Sequence, residues 1–269
     1  MPYATNDGVK TWYEVAGDGP AMVLLHSNRF DQAMFFYQVA HFSAWFKVIT
    51  VDLRSYGCTD SVTRPFTIAD MAADVMAVCR QEGLKEAIVG GVSVGSGVAL
   101  QIALDRPDFC RALLLVGGGS TLTPPPGGVV TLREGETGSE GVQKFHKEDI
   151  ERLLAPDFPR TPLGRYIVDL FRDRATAHGS TAEGILQIRR ARAGTDLTPR
   201  LSEVKVPTLV VNGEFDNALK YGRRTAELTP GAVHRVLKGA GHCCNLDDPV
   251  GFDAAVIDFL KSKKLLPAL

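Results

Sequence analysis

Residues 87–97 read Ala-Ile-Val-Gly-Gly-Val-Ser-Val-Gly-Ser-Gly, and the reading of this stretch decides the fold. A short β-branched run leads into Gly91-Val92-Ser93-Val94-Gly95, a G-x-S-x-G sequence placed where a strand turns sharply into a helix. Such a turn holds one serine Oγ clear of the sheet, within reach of a base. The two glycines permit the tight backbone, because a Cβ at either position would clash with the neighbouring strand or helix. In a chain with 27 glycines the five-residue pattern alone is weak. Its flanks carry the weight.

Working outward, short apolar runs alternate with helix-sized segments. Upstream, Asn6-Asp7-Gly8 is a hairpin turn between two extended stretches, the second of which, Val9–Ala16, alternates apolar and polar residues. Ala21–Leu25 is a buried strand ending at His26. A helical stretch over about 32–42 then leads to the strand Phe46–Val51. Thr67-Ile68-Ala69-Asp70 has the form of a capping box, after which Ile68, Met71, Ala72, Val75 and Cys79 share one helical face and Gly83 ends the helix. The strand Glu86–Val92, the elbow, a helix to about Asp105 and the strand Ala112–Val116 follow. The sheet resumes at Val206–Val211 and His234–Leu237. A final helix from about Asp248-Pro249 buries Phe252, Val256, Phe259 and Leu260. This order predicts an α/β fold with a mostly parallel eight-stranded sheet flanked by helices. Residues 118–202 break the pattern: Thr123–Gly128 and Arg133–Gly141 are loop-like, and two or three helical stretches lie between about 142 and 192. They are expected to form a helical cap over the sheet's carboxyl edge, with residues 1–117 and 203–269 as the core.

Composition bounds the function. The chain has 269 residues, 45% hydrophobic and 23% charged, with a formal net charge of −1, so neither a nucleic-acid nor an anionic-membrane partner is indicated. The N-terminal sequence lacks the basic start and apolar stretch of a signal peptide, and no apolar run is long enough to span a bilayer. Five scattered cysteines without C-x-x-C spacing fit free thiols better than a disulfide framework or a zinc site. A cytoplasmic protein acting on a small molecule, with no metal and no cofactor, is expected. The sequence does not fix an oligomeric state and leaves a homo-oligomer open.

A serine hydroxyl needs an adjacent base, which in turn needs orienting. Two further segments end predicted strands and supply both: Asn212-Gly-Glu-Phe-Asp216 and Gly239-Ala-Gly-His242. The chain order is then Ser93, Asp216, His242, all at carboxyl ends of strands, where open α/β sheets place their sites. Asp216 also reads as a helix N-cap, with Glu214 the substitute carboxylate. His26 reads as structural, and Cys243 and Cys244 as small apolar filler beside His242. The Gly-rich stretch matches neither phosphate-binding fingerprint.

With Val51-Asp-Leu-Arg-Ser-Tyr-Gly57 and Pro207-Thr-Leu-Val-Val-Asn-Gly213 added to these motifs, the chain resembles the α/β-hydrolase superfamily over nearly its whole length. The resemblance implies Ser93 as nucleophile, His242 as general base and acid, and Asp216 as orienting carboxylate. It implies an oxyanion hole built from the Val94 N–H and one from the loop after His26. That loop reads His-Gly-x in many relatives and His26-Ser27-Asn28 here, which makes the Asn28 N–H the candidate. Leu25–Asp31, Gly194–Pro207 and His242–Pro249 look most like 3-oxoadipate enol-lactonases and small-ester hydrolases, although the oxyanion segment departs from that branch's Asn-Ser pair. A small ester or lactone, carrying an anionic group, is the expected substrate. Ser27, Arg29, Arg189 and Arg190 are candidate substrate contacts, and Arg192 is a further cation of the same cluster. Any one of these arginines, Arg192 included, reads more readily as a solvated surface residue. Similarity to carbon–carbon hydrolases of ring-fission products gives a second reading, weakened by the missing Gly-rich oxyanion segment. A ligand receptor on the same scaffold gives a third. Dehalogenases and epoxide hydrolases are disfavoured, since they resemble this chain but place Asp where it has Ser93.

Overall fold

Continuous burial along the central strands and alternating burial along Val9–Ala16 build the sheet. In the computed structural model, which describes residues 2–121, 130–178 and 180–268, the strands are β1 (Tyr3–Asn6), β2 (Val9–Ala16), β3 (Ala21–Leu25), β4 (Lys47–Val51), β5 (Ala87–Val92), β6 (Cys110–Val116), β7 (Thr208–Gly213) and β8 (Val233–Leu237). They form one eight-stranded sheet in the order β1-β2-β4-β3-β5-β6-β7-β8. The β1–β2 and β2–β4 pairs are antiparallel and every later pair is parallel. Asp7 and Gly8 both have positive φ (49° and 76°), as a two-residue hairpin between β1 and β2 requires.

Central strands are apolar on both faces because helices cover both. Along β5 and β6, Val89, Leu113 and Leu115 pack into one core with Val75 of α2 (Ile68–Gln81) and Val98 and Leu100 of α3 (Val94–Asp105). Ile88, Val92, Leu114 and Val116 face the other way, onto Phe42 of α1 (Phe36–Phe42) and Val256 of the C-terminal helix Pro249–Ser262. The Thr67–Asp70 capping box forms as predicted: Thr67 accepts from the Asp70 N–H, and the Asp70 carboxylate accepts from the Thr67 N–H at 2.7 Å.

Between β6 and β7 lie α4 (Gly138–Leu153), α5 (Pro162–Ala177) and α6 (Ala182–Ala193). Three contacts fasten this insertion to loops at the carboxyl edge. Arg174 pairs with Asp31 at 2.6 Å, the Cys243 N–H donates to Leu153 O at 2.8 Å, and the Ser180 hydroxyl donates to Ser55 O at 3.2 Å. Several strands start one or two residues from where the sequence reading has them, and two differences lie at the insertion. The first inserted helix begins at Gly138, inside a stretch that reads as loop. β7 starts at Thr208, two residues late, because Pro207 has no N–H for the ladder and contributes only its carbonyl, to Leu113. The Thr123–Gly128 stretch lies outside the described residues. Downstream come α7 (Leu219–Leu228), α8 (Cys244–Asp247) and α9 (Pro249–Ser262). No helix among the described residues is long and apolar enough to cross a membrane.

The glycines at the β5–α3 turn are set by space. A Cβ on Gly95 would overlap the carbonyls of Leu25 and His26, whereas one on Gly83, at φ 66°, would meet nothing. Gly95→Ala is therefore expected to destabilise the fold by about 3 kcal/mol or more. Gly83→Ala should cost only the ~1–2 kcal/mol of a left-handed residue. Urea denaturation of both variants checks this, and equal losses would rule out the packing explanation.

Candidate active site

Ser93 follows β5 directly, with φ 55° and ψ −110°, a conformation rarely held by a residue with a side chain. The surrounding packing enforces it. A Cβ on Gly91 would overlap Gly95, so the strand and the first turn of α3 touch backbone to backbone. The Ser93 N–H donates to Val116 O at 2.8 Å. The neighbouring Ser96 hydroxyl, wholly buried, donates to Gly91 O at 2.7 Å. Ser93 itself keeps 7% of its surface exposed, towards a cavity of about 350 Å³.

His242 lines the same cavity. Its Nδ1 lies 2.7 Å from Asp216 Oδ1, and its Nε2 is buried without a hydrogen-bond partner among the described residues. Asp216 is held from three sides. Its Oδ1 also accepts from the Ala218 N–H at 2.7 Å, and its Oδ2 accepts from Asn212 Nδ2 at 2.7 Å. His234 in turn meets Asn212 Oδ1 at 2.9 Å. Burial alone would raise the Asp216 pKa, but the His242 contact and these donors outweigh it and hold the carboxyl below its ordinary range. The His-partner reading therefore holds, whereas Asp216 is not the N-cap of α7: Ala218 occupies the cap, and the bond from its N–H closes a turn just before the helix. Glu214 is exposed and accepts from the Gly239 N–H at 2.9 Å, away from His242.

His242 rides on a loop clamped from below. One Asp247 oxygen accepts from the Gly241 N–H at 2.9 Å and from the Ala155 N–H of the insertion at 2.6 Å. Cys243 and Cys244 are fully buried, and burial holds both thiols well above their usual pKa. They are packing groups, as the sequence reading has them.

Across the cavity from His242 lies the loop after β3. Neither the Asn28 nor the Val94 backbone N–H donates to any acceptor among the described residues. Asn28 also lines the cavity, and its side-chain oxygen accepts from the Tyr56 hydroxyl. His26 is wholly buried: its Nε2 accepts from the Leu53 N–H at 2.9 Å, and its Nδ1 donates to Ser27 O at 2.8 Å. That pairing defines a neutral ring.

The substrate contacts expected at four positions require correction. Ser27 is wholly buried beneath the loop and does not line the cavity. Arg29 is 2% exposed, its guanidinium donating to Glu136 Oε1 at 2.7 Å. Arg189 is likewise turned to Glu136, with contacts of 2.6 and 2.7 Å. Arg190 is half exposed and lies 3.8 Å from Glu183 on the outer surface. Arg192 is different. It lines the cavity with Ser93 and His242, and its Nε is buried without a partner among the described residues. Burial lowers its pKa, with Arg29 and Arg189 adding repulsion. The cavity's described lining includes a second cation, Lys220, and no carboxylate. Periodicity along α6 gives no way to choose among its arginines. The choice is made by Glu136, 53 residues before Arg189 and in a loop.

The chain matches a family model described as "Alpha/beta hydrolase family" over residues 22–255. It is 25% identical to 2-(acetamidomethylene)succinate hydrolase of Mesorhizobium japonicum, covering 91% of this chain and 89% of that one. It is 24% identical to 3-oxoadipate enol-lactonase 2 of Acinetobacter baylyi, covering 91% and 90%. Among solved structures, the enol-lactonase from Burkholderia xenovorans LB400 superposes with a TM-score of 0.86 at 25% identity, covering 97% of this chain and all of that one.

His26 has a consequence for stability. Burial lowers its pKa from 6.5 to about 4, so as pH falls below 6.5 the unfolded chain takes up a proton that the folded one refuses. Stability present above pH 6.5 is lost on the way to pH 4, and this ring accounts for about 2 kcal/mol between pH 7 and pH 5. Asp52, raised by burial and Asp31 to about 7, and Asp247, raised by burial to about 6, act in the opposite sense. The measurement is therefore a difference. In urea denaturation, wild type should lose about 2 kcal/mol more than His26→Gln between pH 7 and pH 5; identical pH dependence would exclude a neutral buried ring.

Proposed function

The chain belongs to the alpha/beta hydrolase family, and on that premise we propose that it is a serine hydrolase cleaving a small anionic carboxylic ester or lactone. The observation that carries this reading is the convergence on one cavity of a strained Ser93, a His242–Asp216 pair and an unpaired Arg192. In the proposed reaction Ser93 Oγ attacks the substrate carbonyl while its proton passes to His242 Nε2. The developing oxyanion takes hydrogen bonds from the Val94 and Asn28 N–H groups, donors of a kind typically worth ~3–4 kcal/mol each in the transition state. Collapse breaks the acyl C–O bond, and His242 returns the proton to the leaving alkoxide or enolate. Water, deprotonated by His242, then releases the acid and restores Ser93. Asp216 holds the imidazole in the tautomer with Nδ1–H and stabilises the imidazolium.

Size and charge support the substrate class. The cavity is at the small end of ligand sites. Arg192 and Lys220, with no described carboxylate beside them, favour a carboxylate-bearing substrate. Two relatives whose names contain succinate and oxoadipate, and a third named as an enol-lactonase, point the same way.

Ser93→Ala should abolish turnover with the fold retained, and Asp216→Asn should lower kcat about 10³–10⁴-fold by favouring the wrong tautomer. Glu214→Gln should stay within about twofold of wild type. Steady-state rates on an aryl ester decide among these, and more than a few per cent of wild-type rate in Ser93→Ala would sink the nucleophile assignment. For specificity, kcat/KM is compared on an enol-lactone or ester bearing a carboxylate, its uncharged analogue, and a vinylogous 1,5-diketo acid. Arg192→Met should cut the rate on the charged ester or lactone roughly 10–100-fold and barely change that on the uncharged one, as expected for loss of a charge-assisted hydrogen bond. A preference for the diketo acid would replace the ester reading with carbon–carbon hydrolysis.

A further inference from the structure

We infer that Glu136, buried in the insertion, is a positioning residue for the oxyanion loop: through the Arg29 guanidinium it fixes the backbone that carries the Asn28 N–H. The inference rests on the proposed role of that N–H.

The loop needs an anchor because of its sequence. Arg29, the residue after Asn28, sits at φ 74°, a conformation glycine adopts freely and arginine does not. Surrounding contacts must therefore hold it. Upstream, His26 is fixed by Leu53, and the Asn28 side chain is fixed by Tyr56. Downstream, the Phe30 N–H closes the turn on Ser27 O at 3.2 Å, and the Arg29 side chain adds a second hold. The guanidinium reaches across the cleft to Glu136, 107 residues away in sequence, and donates at 2.7 Å.

Glu136 has no exposed surface and collects three guanidinium groups. Arg29 comes from the core loop, whereas Arg133 and Arg189 come from the insertion. Burial alone would raise its pKa, but the arginines and the Arg133 N–H overcome this and keep it ionised far below the usual carboxylate range. Asp149, the other anion near Arg29 at 2.8 Å, is partly exposed and shared with Arg133 and Arg152. His146, 3.4 Å from Arg29, is held neutral by burial and by Arg29 itself. Removing the Glu136 charge would leave the Arg29 guanidinium facing two others, with the shared and partly exposed Asp149 as its remaining carboxylate. The side chain would withdraw, and the left-handed backbone at Arg29 would lose one of the two contacts that restrain it. The Asn28 N–H would then no longer point at the oxyanion.

The test uses Glu136→Gln, which keeps shape and removes charge. On an aryl ester its kcat should fall about 10–100-fold, up to the loss of one oxyanion donor, with KM within about threefold of wild type. Affinity for phenylboronic acid, which forms a tetrahedral adduct on the nucleophile, should fall in step with kcat/KM. Glu136→Asp should recover part of both losses. Arg189→Met, which strips Glu136 of a partner on the insertion side alone, should keep near-normal kcat. Arg29→Lys should reproduce the selective kcat loss and provides the same readout if Glu136→Gln does not fold. Unchanged kcat and boronate affinity in the folded Glu136→Gln or Arg29→Lys variant, or a loss confined to KM, would overturn the inference alone. A wild type that binds no boronate and keeps its rate in Ser93→Ala would overturn the serine-hydrolase reading, and the inference with it.

Discussion

The contact between the first turn of α3 and the end of β3 is the constraint on which the site depends. Gly95 lies so close to the carbonyls of Leu25 and His26 that no side chain fits between them. Three features follow from that approach. The strand-to-helix turn must be completed within one residue, which forces Ser93 into its left-handed backbone. The start of α3, whose Val94 N–H has no acceptor among the described residues, packs against the end of β3, so the two candidate oxyanion donors come from positions 66 residues apart in sequence, with Ser93 and Asn28 lining the same cavity. Ser93 also inherits the favourable field of a helix N-terminus, where a developing negative charge is stabilised. One van der Waals limit thus sets the position of the proposed nucleophile, its conformation and its electrostatic surroundings together.

What the sequence discloses follows from how local each constraint is. The elbow is legible because its glycines and serine act within five residues. The Asp216 and His242 segments are legible because each ends an apolar strand, and strand ends converge at the carboxyl edge of a parallel sheet whatever lies between them. The insertion was legible as helical but not as a specificity surface. Arg29 and Arg189 look like free cations in the sequence, and each is consumed by Glu136 at a distance of many residues. The Arg133–Gly141 stretch reads as loop through its glycines, and α4 begins at Gly138 because packing overrides helix propensity there. Pro207 shifted β7 by a rule that is local, and the strand start could have been read from it.

The arrangement of charge explains why one arginine is left over. The insertion is rich in arginine, and Glu136 and Asp149 absorb Arg29, Arg133, Arg152 and Arg189 between them. A buried carboxylate surrounded this way remains an anion, and its partners are withdrawn from any role in recognition. Arg192 lies one turn on from Arg189 along α6, displaced just enough to face the cavity instead of Glu136. Burial, with repulsion from Arg29 and Arg189, disfavours its charge more than Tyr56 and Asp149 favour it, which leaves a net deficit. An anionic ligand would relieve that deficit, so part of the binding free energy is already present as an unfavourable term in the free protein.

The same ion cluster gives the insertion a second connection to the core. Asp31–Arg174 and Cys243–Leu153 fasten it at the sheet edge, as a lid needs. The Arg29–Glu136 pair instead ends on the residue next to Asn28, beside the proposed reacting centre. A glycine at position 29 would hold the positive φ without help, whereas Arg29 does not. Replacing an intrinsically permissive backbone with a side-chain anchor makes the oxyanion loop conditional on the docked insertion. The surface proposed to select the substrate, α6 with Arg192, then belongs to the same body that holds the loop. On the proposed reading, displacing that body on substrate entry would loosen the candidate oxyanion donor until the insertion settles again, which would couple recognition and transition-state stabilisation through one buried carboxylate.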